Sequence, residues 1–320
     1  MNLLKATTIL VMAASTAASA WGQSDKCLDR TFPLSIISWD GSPLPGLGPQ
    51  AFEASAKGMN ARVSSFRLDQ EPRRILLLMD ISRSFLDKSD PAIDIGLDLV
   101  DHIPPPSEIG LASFAGSLSL VTAPTADRTE IRSRIQSVFP PANPKPSRKF
   151  VGTALWDAVR DSADLLGSSR IGDVIFVITD GEENHSTGGS AQATRALLAK
   201  GIRLFAVQIP DSILMRARVA SPREGDSVER MLAVTDETGG LVITPFVGTS
   251  YVSLKGGMPA ELRNALNLQY HLILNFYRTD VAFSQPLRKQ LKWKLSLVGL
   301  ENSARKNYEL KYPKSLLPCD

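Results

Sequence analysis

Acidic and hydroxyl side chains gather where two apolar stretches of this sequence end. Asp80 directly follows the apolar residues 75–79, and Asp180 comes two positions after the apolar residues 174–178. Hydroxyl side chains accompany the two acids on neighbouring segments. An all-oxygen set of this kind, with no His or Cys, suits Mg²⁺ or Mn²⁺ and disfavours Zn²⁺. The predicted metal ligands are Asp80, Ser82, Ser84, Thr153 and Asp180.

Three short runs, apolar at both odd and even positions, indicate the elements that must position these residues. The runs are residues 75–79, 174–178 and 204–209. They are typical of strands buried on both faces, and amphipathic segments with helical spacing lie between them. We therefore predict a doubly wound α/β domain with a mostly parallel sheet over residues 72–267. In such a sheet, ligands bind beyond the carboxyl ends of the strands, where the strand order reverses. Asp80 and Asp180 would converge there if their strands are neighbours.

Other segments alternate apolar and polar residues with the period of two that half-buried strands show. They lie in an N-terminal segment, residues 21–71, and a C-terminal segment, residues 268–320, whose strands we expect to form a small β module. One predicted C-terminal strand has an apolar face made by Tyr270, Leu272, Leu274 and Phe276. Within the α/β region, residues 109–121 are predicted to form a hairpin at an antiparallel edge of the sheet.

The order D-x-S-x-S, then a Thr, then T-D-G resembles the metal-ion-dependent adhesion site (MIDAS) of von Willebrand factor type A domains. The resemblance covers residues 72–267, and the flanking segments are similar to a bacterial secreted subgroup of von Willebrand factor A-related proteins. It implies a Rossmann-like fold in which the two carboxylates and three hydroxyls named above bind the metal directly or through water. The family pattern usually has Gly between the two serines, where this sequence has Arg83.

Other roles for the residues near the site stay open at this point. Ser82 and Ser84 could cap a helix, because Ser is favoured at the first position of helices. Glu182 and Glu183 are expected in a solvated loop, with His185 as an ordinary loop histidine. The same three residues are the bases available if the site belongs to a metal-dependent hydrolase.

The N-terminus predicts export of the chain. Lys5 precedes an Ala-rich apolar segment that ends at the small residues Ala18-Ser19-Ala20, which indicates a cleaved signal peptide over residues 1–20. A secreted or periplasmic protein without stable membrane insertion is therefore expected. Its two cysteines, Cys27 and Cys319, could form a disulfide in that compartment. A net charge of +3, with both signs spread along the chain, gives no indication of nucleic-acid binding.

The residues and the resemblance together predict a secreted, non-enzymatic binding module. A divalent cation at the site would capture an exposed acidic residue of a partner protein. Loops at residues 83–90, 140–150 and 181–190 would set the selectivity for that partner. The alternatives are a metal-dependent hydrolase that uses the same cation, and a metal-free scaffold component of an envelope assembly.

Overall fold

The computed structural model describes residues 25–39, 46–139, 152–209, 222–244, 246–247, 250–251, 258–298 and 307–318. The strands are β1 Asp29–Ser38, β2 Phe52–Ala56, β3 Met59–Leu68, β4 Arg74–Asp80, β5 Glu108–Phe114, β6 Leu118–Thr125, β7 Val174–Thr179, β8 Arg203–Gln208, β9 Leu241–Ile243, β10 Phe246–Val247, β11 Ser250–Tyr251, β12 Tyr277–Phe283, β13 Leu291–Leu297, β14 Tyr308–Lys311 and β15 Ser315–Leu316. The α-helices are α1 Asp25–Leu28, α2 Ser89–His102, α3 Arg128–Ser137, α4 Leu155–Leu165, α5 Ser190–Lys200, α6 Pro222–Thr238 and α7 Ala260–Leu274. Short 3₁₀ helices occur at Pro49–Ala51 and Arg83–Lys88. The predicted signal peptide at residues 1–20 and the predicted selectivity loop at residues 140–150 lie outside the described residues.

One sheet has six strands in the order β6-β5-β4-β7-β8-β9. All of its pairings are parallel except that of β6, which runs antiparallel to β5 at the edge. Every residue of β4, β7 and β8 is buried, as the three apolar runs predicted. The hairpin formed by β5 and β6 likewise confirms the antiparallel edge predicted for residues 109–121.

Alternate residues of β4 face two different layers of helices. Leu77 and Met79 pack in a hydrophobic cluster that α2, α3 and α7 complete. Leu76 and Leu78 pack in a second cluster that α4, α5 and α6 complete. Burial of each such side chain stabilises the fold by about 2 kcal/mol. The sheet is thus covered on both faces, and only the ends of its strands are open to a ligand.

The prediction of a strand at Tyr270–Phe276 is wrong. Residues 260–274 form α7, which follows Pro259 and carries Glu261 in its first turn. Leu262, Leu266 and Tyr270 are spaced four apart and are buried together against the parallel sheet. Leu272 and Ile273 are also buried, so the apolar face of the helix is wide enough to imitate an alternation of period two over a short window.

A second sheet is antiparallel throughout and has seven strands in the order β14-β1-β12-β3-β2-β13-β15. Strands from the N-terminal and C-terminal segments pack together in it, as was predicted, although the sheet is larger than the predicted small module. Phe32, Leu34, Val281, Trp293 and Leu295 are among the residues of its separate hydrophobic core.

The parallel sheet and its helices, here called the parallel-sheet unit, are inserted into the antiparallel sheet. The chain leaves the antiparallel sheet and returns to it at neighbouring residues. The last residue of β3, Leu68, lies opposite the first residue of β12, Tyr277. The next residues inward are also joined, because the Asp69 N–H donates to the Phe276 carbonyl at 2.9 Å. All of the parallel sheet and its helices lie between these two points of the chain.

A group of charged side chains, here called the junction cluster, joins the two sheets. It consists of Asp69, Arg73, Arg203 and Arg278. Arg203, the first residue of β8, is 1% exposed and donates to the carbonyls of Leu272 at 2.8 Å and Ile273 at 3.2 Å, at the end of α7. Burial, with a smaller contribution from the charge of Arg73, lowers the pKa of Arg203 to about 9.

The carboxylate of the junction cluster is held by two arginines. Asp69 accepts hydrogen bonds from Arg73 Nη1 at 2.5 Å and from Arg278 Nε at 2.9 Å. Burial acts to raise the pKa of Asp69, but the hydrogen bonds and the charges of both arginines outweigh burial, and the pKa is lowered. Arg73 also donates to the Leu274 carbonyl at 2.8 Å, so the same group fixes the end of α7.

Two findings bear on the predicted export of the chain. Cys27 is disulfide-bonded, and Cys319, the other cysteine of the sequence, lies outside the described residues. Within the described ranges, no helix has the length and apolar character needed to cross a membrane.

Candidate metal centre

The two predicted acidic ligands lie at the point where the strand order of the parallel sheet reverses. Asp80 is the last residue of β4, and Asp180 directly follows β7. These strands are neighbours, with Met79 opposite Ile178. Because β5 and β6 lie on one side of β4 and β8 and β9 lie beyond β7, the predicted adjacency at a switch point is confirmed.

The Asp80 carboxylate is completely buried and has two internal hydrogen-bond donors. Its Oδ1 accepts from the Ser82 N–H at 2.8 Å, and its Oδ2 accepts from the Thr179 hydroxyl at 2.7 Å. Burial, followed by the negative charge of Asp180, raises the pKa of Asp80 to about 7 against the lowering effect of those hydrogen bonds. The raised pKa reflects the loss of hydration on burial and the neighbouring negative charge, both of which disfavour the ionised carboxylate.

The two serines lie together on the loop that leaves Asp80. Ser82 is buried, and its Oγ is 3.3 Å from the Ser84 Oγ. Ser82 precedes the 3₁₀ helix Arg83–Lys88, but its side chain makes no capping hydrogen bond. The capping alternative for Ser82 is therefore wrong, and its hydroxyl is directed at the neighbouring serine.

Thr153 is held against the loop that follows Asp180. It is 1% exposed and stands just before α4. Its N–H donates to the Asn184 Oδ1 at 2.8 Å, and its carbonyl accepts from the backbone N–H groups of Asn184 and His185 at 3.1 Å each. These bonds hold the backbone of Thr153, the predicted hydroxyl ligand, against the loop that follows Asp180.

The loop after Asp180 is anchored to α4 and is not freely solvated. Glu183 Oε2 accepts from the Trp156 N–H at 3.1 Å and from the Ser186 hydroxyl at 2.6 Å. Its Oε1 accepts from the N–H groups of His185 at 2.9 Å and Ser186 at 2.8 Å. Both oxygens of Glu183 thus satisfy backbone donors at the start of α4 and within the loop, and the prediction of a solvated Glu183 is wrong.

Gly181 is required by the geometry of the same loop. Its φ of +81° is a conformation that residues with a side chain rarely adopt. A Cβ atom at this position would also collide with the side chains of Gln208 and Ser227. Gln208 Nε2 donates to the Asp180 carbonyl at 3.1 Å, so the third residue of the T-D-G motif lets the backbone of Asp180 lie against β8.

Lys88 brings a positive charge to the site that the sequence reasoning missed. This lysine is 8% exposed, and its Nζ is 3.4 Å from the Asp180 Oδ2. The same ammonium donates to the Ser84 carbonyl at 3.0 Å. Lys88 is thereby in contact with both segments that carry predicted ligands.

Thr179 and Asn184 were also missed as supports of the site. The signal for Thr179 was its place in the T-D-G motif, one residue before the acid and at the end of a buried strand. Asn184 and Lys88 gave only weak local signals, because their partners, Thr153 and Asp180, are distant in sequence.

The chemistry of the site fits a divalent cation bound by oxygen atoms. Asp80 and Asp180 supply carboxylates, and Ser82 and Ser84 supply hydroxyls beside them, with Thr153 held on the adjoining segment. In the part of the chain that the structure describes, no group of three or more His, Cys, Asp or Glu side chains is placed to hold a metal ion. Two carboxylates are present here, so hydroxyls, backbone carbonyls or water would have to complete any coordination.

Sequence comparison finds one partial relative. No family model matches the chain. A UPF0353 protein of Mycolicibacterium paratuberculosis (strain ATCC BAA-968 / K-10) is 22% identical over 195 residues, which are 56% of this chain and 58% of that protein. The chain therefore matches little more than half the length of this relative.

Solved structures with a similar arrangement come from several organisms. A protein described as von Willebrand factor type A from Catenulispora acidiphila matches with 10% identity and a TM-score of 0.45, covering 87% of this chain and 72% of that one. The structural neighbours include von Willebrand factor type A domains. The conserved hypothetical protein BatB from Bacteroides thetaiotaomicron matches with 20% identity and a TM-score of 0.45, over 62% of this chain and 96% of that one. Proximal thread matrix protein 1 from the mussel byssus, with a zinc-occupied MIDAS motif, matches with 13% identity and a TM-score of 0.49, over 68% of this chain and 50% of that one.

Proposed function

We propose that this chain is a secreted, non-enzymatic binding module whose metal site captures an acidic group of a partner protein. The residues that would hold the cation, Mg²⁺ or Mn²⁺, are Asp80, Ser82, Ser84, Thr153 and Asp180. When bound, the cation would supply a coordination position open to a carboxylate of the partner.

The observation that carries this proposal is the pair of buried carboxylates at the switch point. Asp80 is 0% exposed and Asp180 is 6% exposed, and the charge of Asp180 contributes to the raised pKa of Asp80. Carboxylates withdrawn from water in this way are costly unless positive charge compensates them. Lys88 pairs with Asp180 and offsets one negative charge, and the proposal assigns the remaining negative charge of the pair to a bound cation.

The surroundings of the site favour an acidic partner. Arg83 stands between the two serines and is exposed. A guanidinium beside the metal position adds a second group that can pair with a carboxylate, and it disfavours basic surfaces. A secreted or periplasmic location is part of the proposal, and the disulfide at Cys27 supports it because disulfides persist in oxidising compartments.

The hydrolase alternative has less support from the contacts of the loop. A general base must have a free lone pair near the reacting proton. Both oxygens of Glu183 already accept hydrogen bonds from Trp156, His185 and Ser186. The proposal therefore assigns Glu183 to the support of α4, and the hydrolase alternative is left with Glu182 and His185 as its bases.

Titration calorimetry with Mg²⁺ and Mn²⁺ tests the metal site. The intact protein should bind either cation, and Asp80→Asn should weaken binding at least 10-fold because one of the two charged ligands is lost. Asp94→Asn is the matched control, since Asp94 is an exposed acid on α2, outside the loop 83–90, and its substitution should leave the affinity unchanged. Equal affinities of the intact protein and Asp80→Asn would show that the cation does not bind at this site.

The partner is tested by capture from envelope extract. A partner held through its carboxylate should be retained in Mg²⁺, released by a chelator, and absent when Asp80→Asn is the bait. Retention that is indifferent to the chelator and to the substitution would favour the metal-free scaffold.

A further inference from the structure

Lys88 is placed where an internal cation can act on the metal site. It closes the 3₁₀ helix Arg83–Lys88, which begins one residue after Ser82, and its side chain folds back along that helix. The ammonium lies 3.4 Å from the Asp180 Oδ2 and 3.0 Å from the Ser84 carbonyl. Phe85, which is completely buried, has its ring centroid 5.7 Å from the same ammonium.

The position of this ammonium sets up a competition for Asp180. A lysine with 8% exposure keeps its charge buried only because anionic and carbonyl oxygens surround it. Asp180 is one of the two predicted carboxylate ligands, and Ser84 is a predicted hydroxyl ligand. A divalent cation at the site and the ammonium of Lys88 would therefore draw on the same carboxylate, and they would repel each other.

We infer that Lys88 is a tethered cation that occupies Asp180 when no metal is bound and sets the affinity of the site for divalent ions. This inference rests on the proposed function. Metal binding must weaken the contact between Lys88 and Asp180, so the free energy of that contact is subtracted from the free energy of metal binding. The site thereby stays folded and partly neutralised in the absence of metal, and it binds metal only when the metal concentration is high.

Asp87 offers the displaced ammonium a second carboxylate. Its Oδ1 is already 3.8 Å from the Lys88 Nζ, and its side chain is 76% exposed. The ammonium can therefore pass from a buried acid to an exposed one by a small rotation of its own side chain. Because exposed ion pairs contribute little, this second contact assists the exchange without holding the site open by itself.

The test is the Mg²⁺ affinity of Lys88→Met, measured by titration calorimetry on the full chain. Met keeps the length and apolar contacts of the side chain and removes the charge. The affinity for Mg²⁺ should rise about 10- to 100-fold, since a unit charge close to a divalent ion is removed. Lys57→Met is the matched control, because it makes the same change at an exposed position in the turn between β2 and β3 of the antiparallel sheet, and its affinity should change less than about 3-fold.

A second measurement keeps the test decisive if Lys88→Met is poorly folded. Lys88→Gln removes the charge but retains a donor for the Ser84 carbonyl, and it should show the same direction of change. In chelator both variants should melt at a lower temperature than the intact protein, and Mg²⁺ should raise their melting temperatures more than it raises that of the intact protein. Asp87→Asn should weaken Mg²⁺ binding about 2-fold in the intact protein and not at all in the Lys88→Met background.

The outcomes separate this inference from the proposed function. Tighter Mg²⁺ binding by the Lys88 variants supports it, including the case in which only the variants bind measurably. Equal or weaker binding by the variants, with the intact protein still binding Mg²⁺, overturns the role of Lys88 and leaves the metal site standing. If neither the intact protein nor the variants bind Mg²⁺ or Mn²⁺, both the inference and the proposed function are wrong.

Discussion

Buried charge is present at both ends of the parallel strands, and the two ends compensate it differently. At the amino end, Asp69 is held by Arg73 and Arg278, and its pKa is lowered although burial acts to raise it. At the carboxyl end, Lys88 pairs with Asp180, while burial and the neighbouring carboxylate raise the pKa of Asp80 to about 7.

Under the proposed function, the difference separates a structural use of charge from a ligand-binding use. The junction cluster satisfies its carboxylate and the carbonyls at the end of α7 with groups of the protein itself. The candidate metal centre leaves a deficit of positive charge, which is the condition under which perturbed carboxylates mark functional sites.

The largest effect is expected from Asp69→Asn at the junction cluster. Removing one member of a buried ion pair leaves Arg73 without its partner, and the free energy of unfolding should fall by about 3–5 kcal/mol. Urea denaturation in chelator measures it. Asp164→Asn is the control, because Asp164 pairs with Lys200 at a side-chain exposure of 81% and should cost less than about 1 kcal/mol. Equal losses in the two variants would show that the junction charges are dispensable.

A smaller effect of opposite sign is expected from Asp80→Asn without metal. Because the pKa of Asp80 is raised from 3.8 to about 7, ionisation disfavours the folded state, and the stability of the metal-free protein falls as the pH rises through this window. The lowered pKa of Asp69 acts oppositely, since its contribution is present above pH 3.8 and is lost as the pH falls below that value. In chelator at pH 8, Asp80→Asn should be about 1–3 kcal/mol more stable than the intact protein, with no gain at pH 4.

Denaturation at both pH values checks this prediction. A gain in stability that does not depend on pH would mean that ionisation of Asp80 does not destabilise the folded protein. The two ends of the sheet would then compensate their charges alike.

The smallest effect is expected at the loop that supports the metal centre. Glu183→Gln retains one acceptor oxygen but loses the charged oxygen that accepts hydrogen bonds from the Trp156 N–H and the Ser186 hydroxyl. The free energy of unfolding should therefore fall by about 1 kcal/mol. Glu182→Gln, the adjacent and chemically identical change, should stay within about 0.5 kcal/mol. Thermal denaturation of the pair in chelator distinguishes them, and equal behaviour would argue that Glu183 does not anchor α4.

Much of this contrast was visible in the sequence, for a physical reason. Strands buried on both faces must be apolar at both odd and even positions. An acid at the end of such a run, as with Asp80, therefore indicates a site at the carboxyl ends of the strands. Arginines also precede two of these runs, Arg73 two residues before Ile75 and Arg203 directly before Leu204, and both belong to the junction cluster, so they were a usable signal for it. Lys88 could not be assigned in this way, because its contact with Asp180 depends on how two distant loops meet.

The prediction for α7 failed for a different reason. Tyr270, Leu272 and Leu274 alternate over five residues, and a helix buried on a wide face produces the same alternation over so short a window. The spacing of Leu262, Leu266 and Tyr270 was the longer-range evidence for a helix, and it extends across the boundary predicted at residue 267.

The neighbouring exit and entry of the parallel-sheet unit have a consequence for the order of assembly. Joining β3 to β12 in an unfolded chain closes a loop of roughly 200 residues, which costs on the order of 5 kcal/mol in chain entropy. A parallel-sheet unit that has already folded brings Leu68 and Tyr277 together and removes most of that cost. Completion of the antiparallel sheet is therefore favoured once the unit that carries the site has folded.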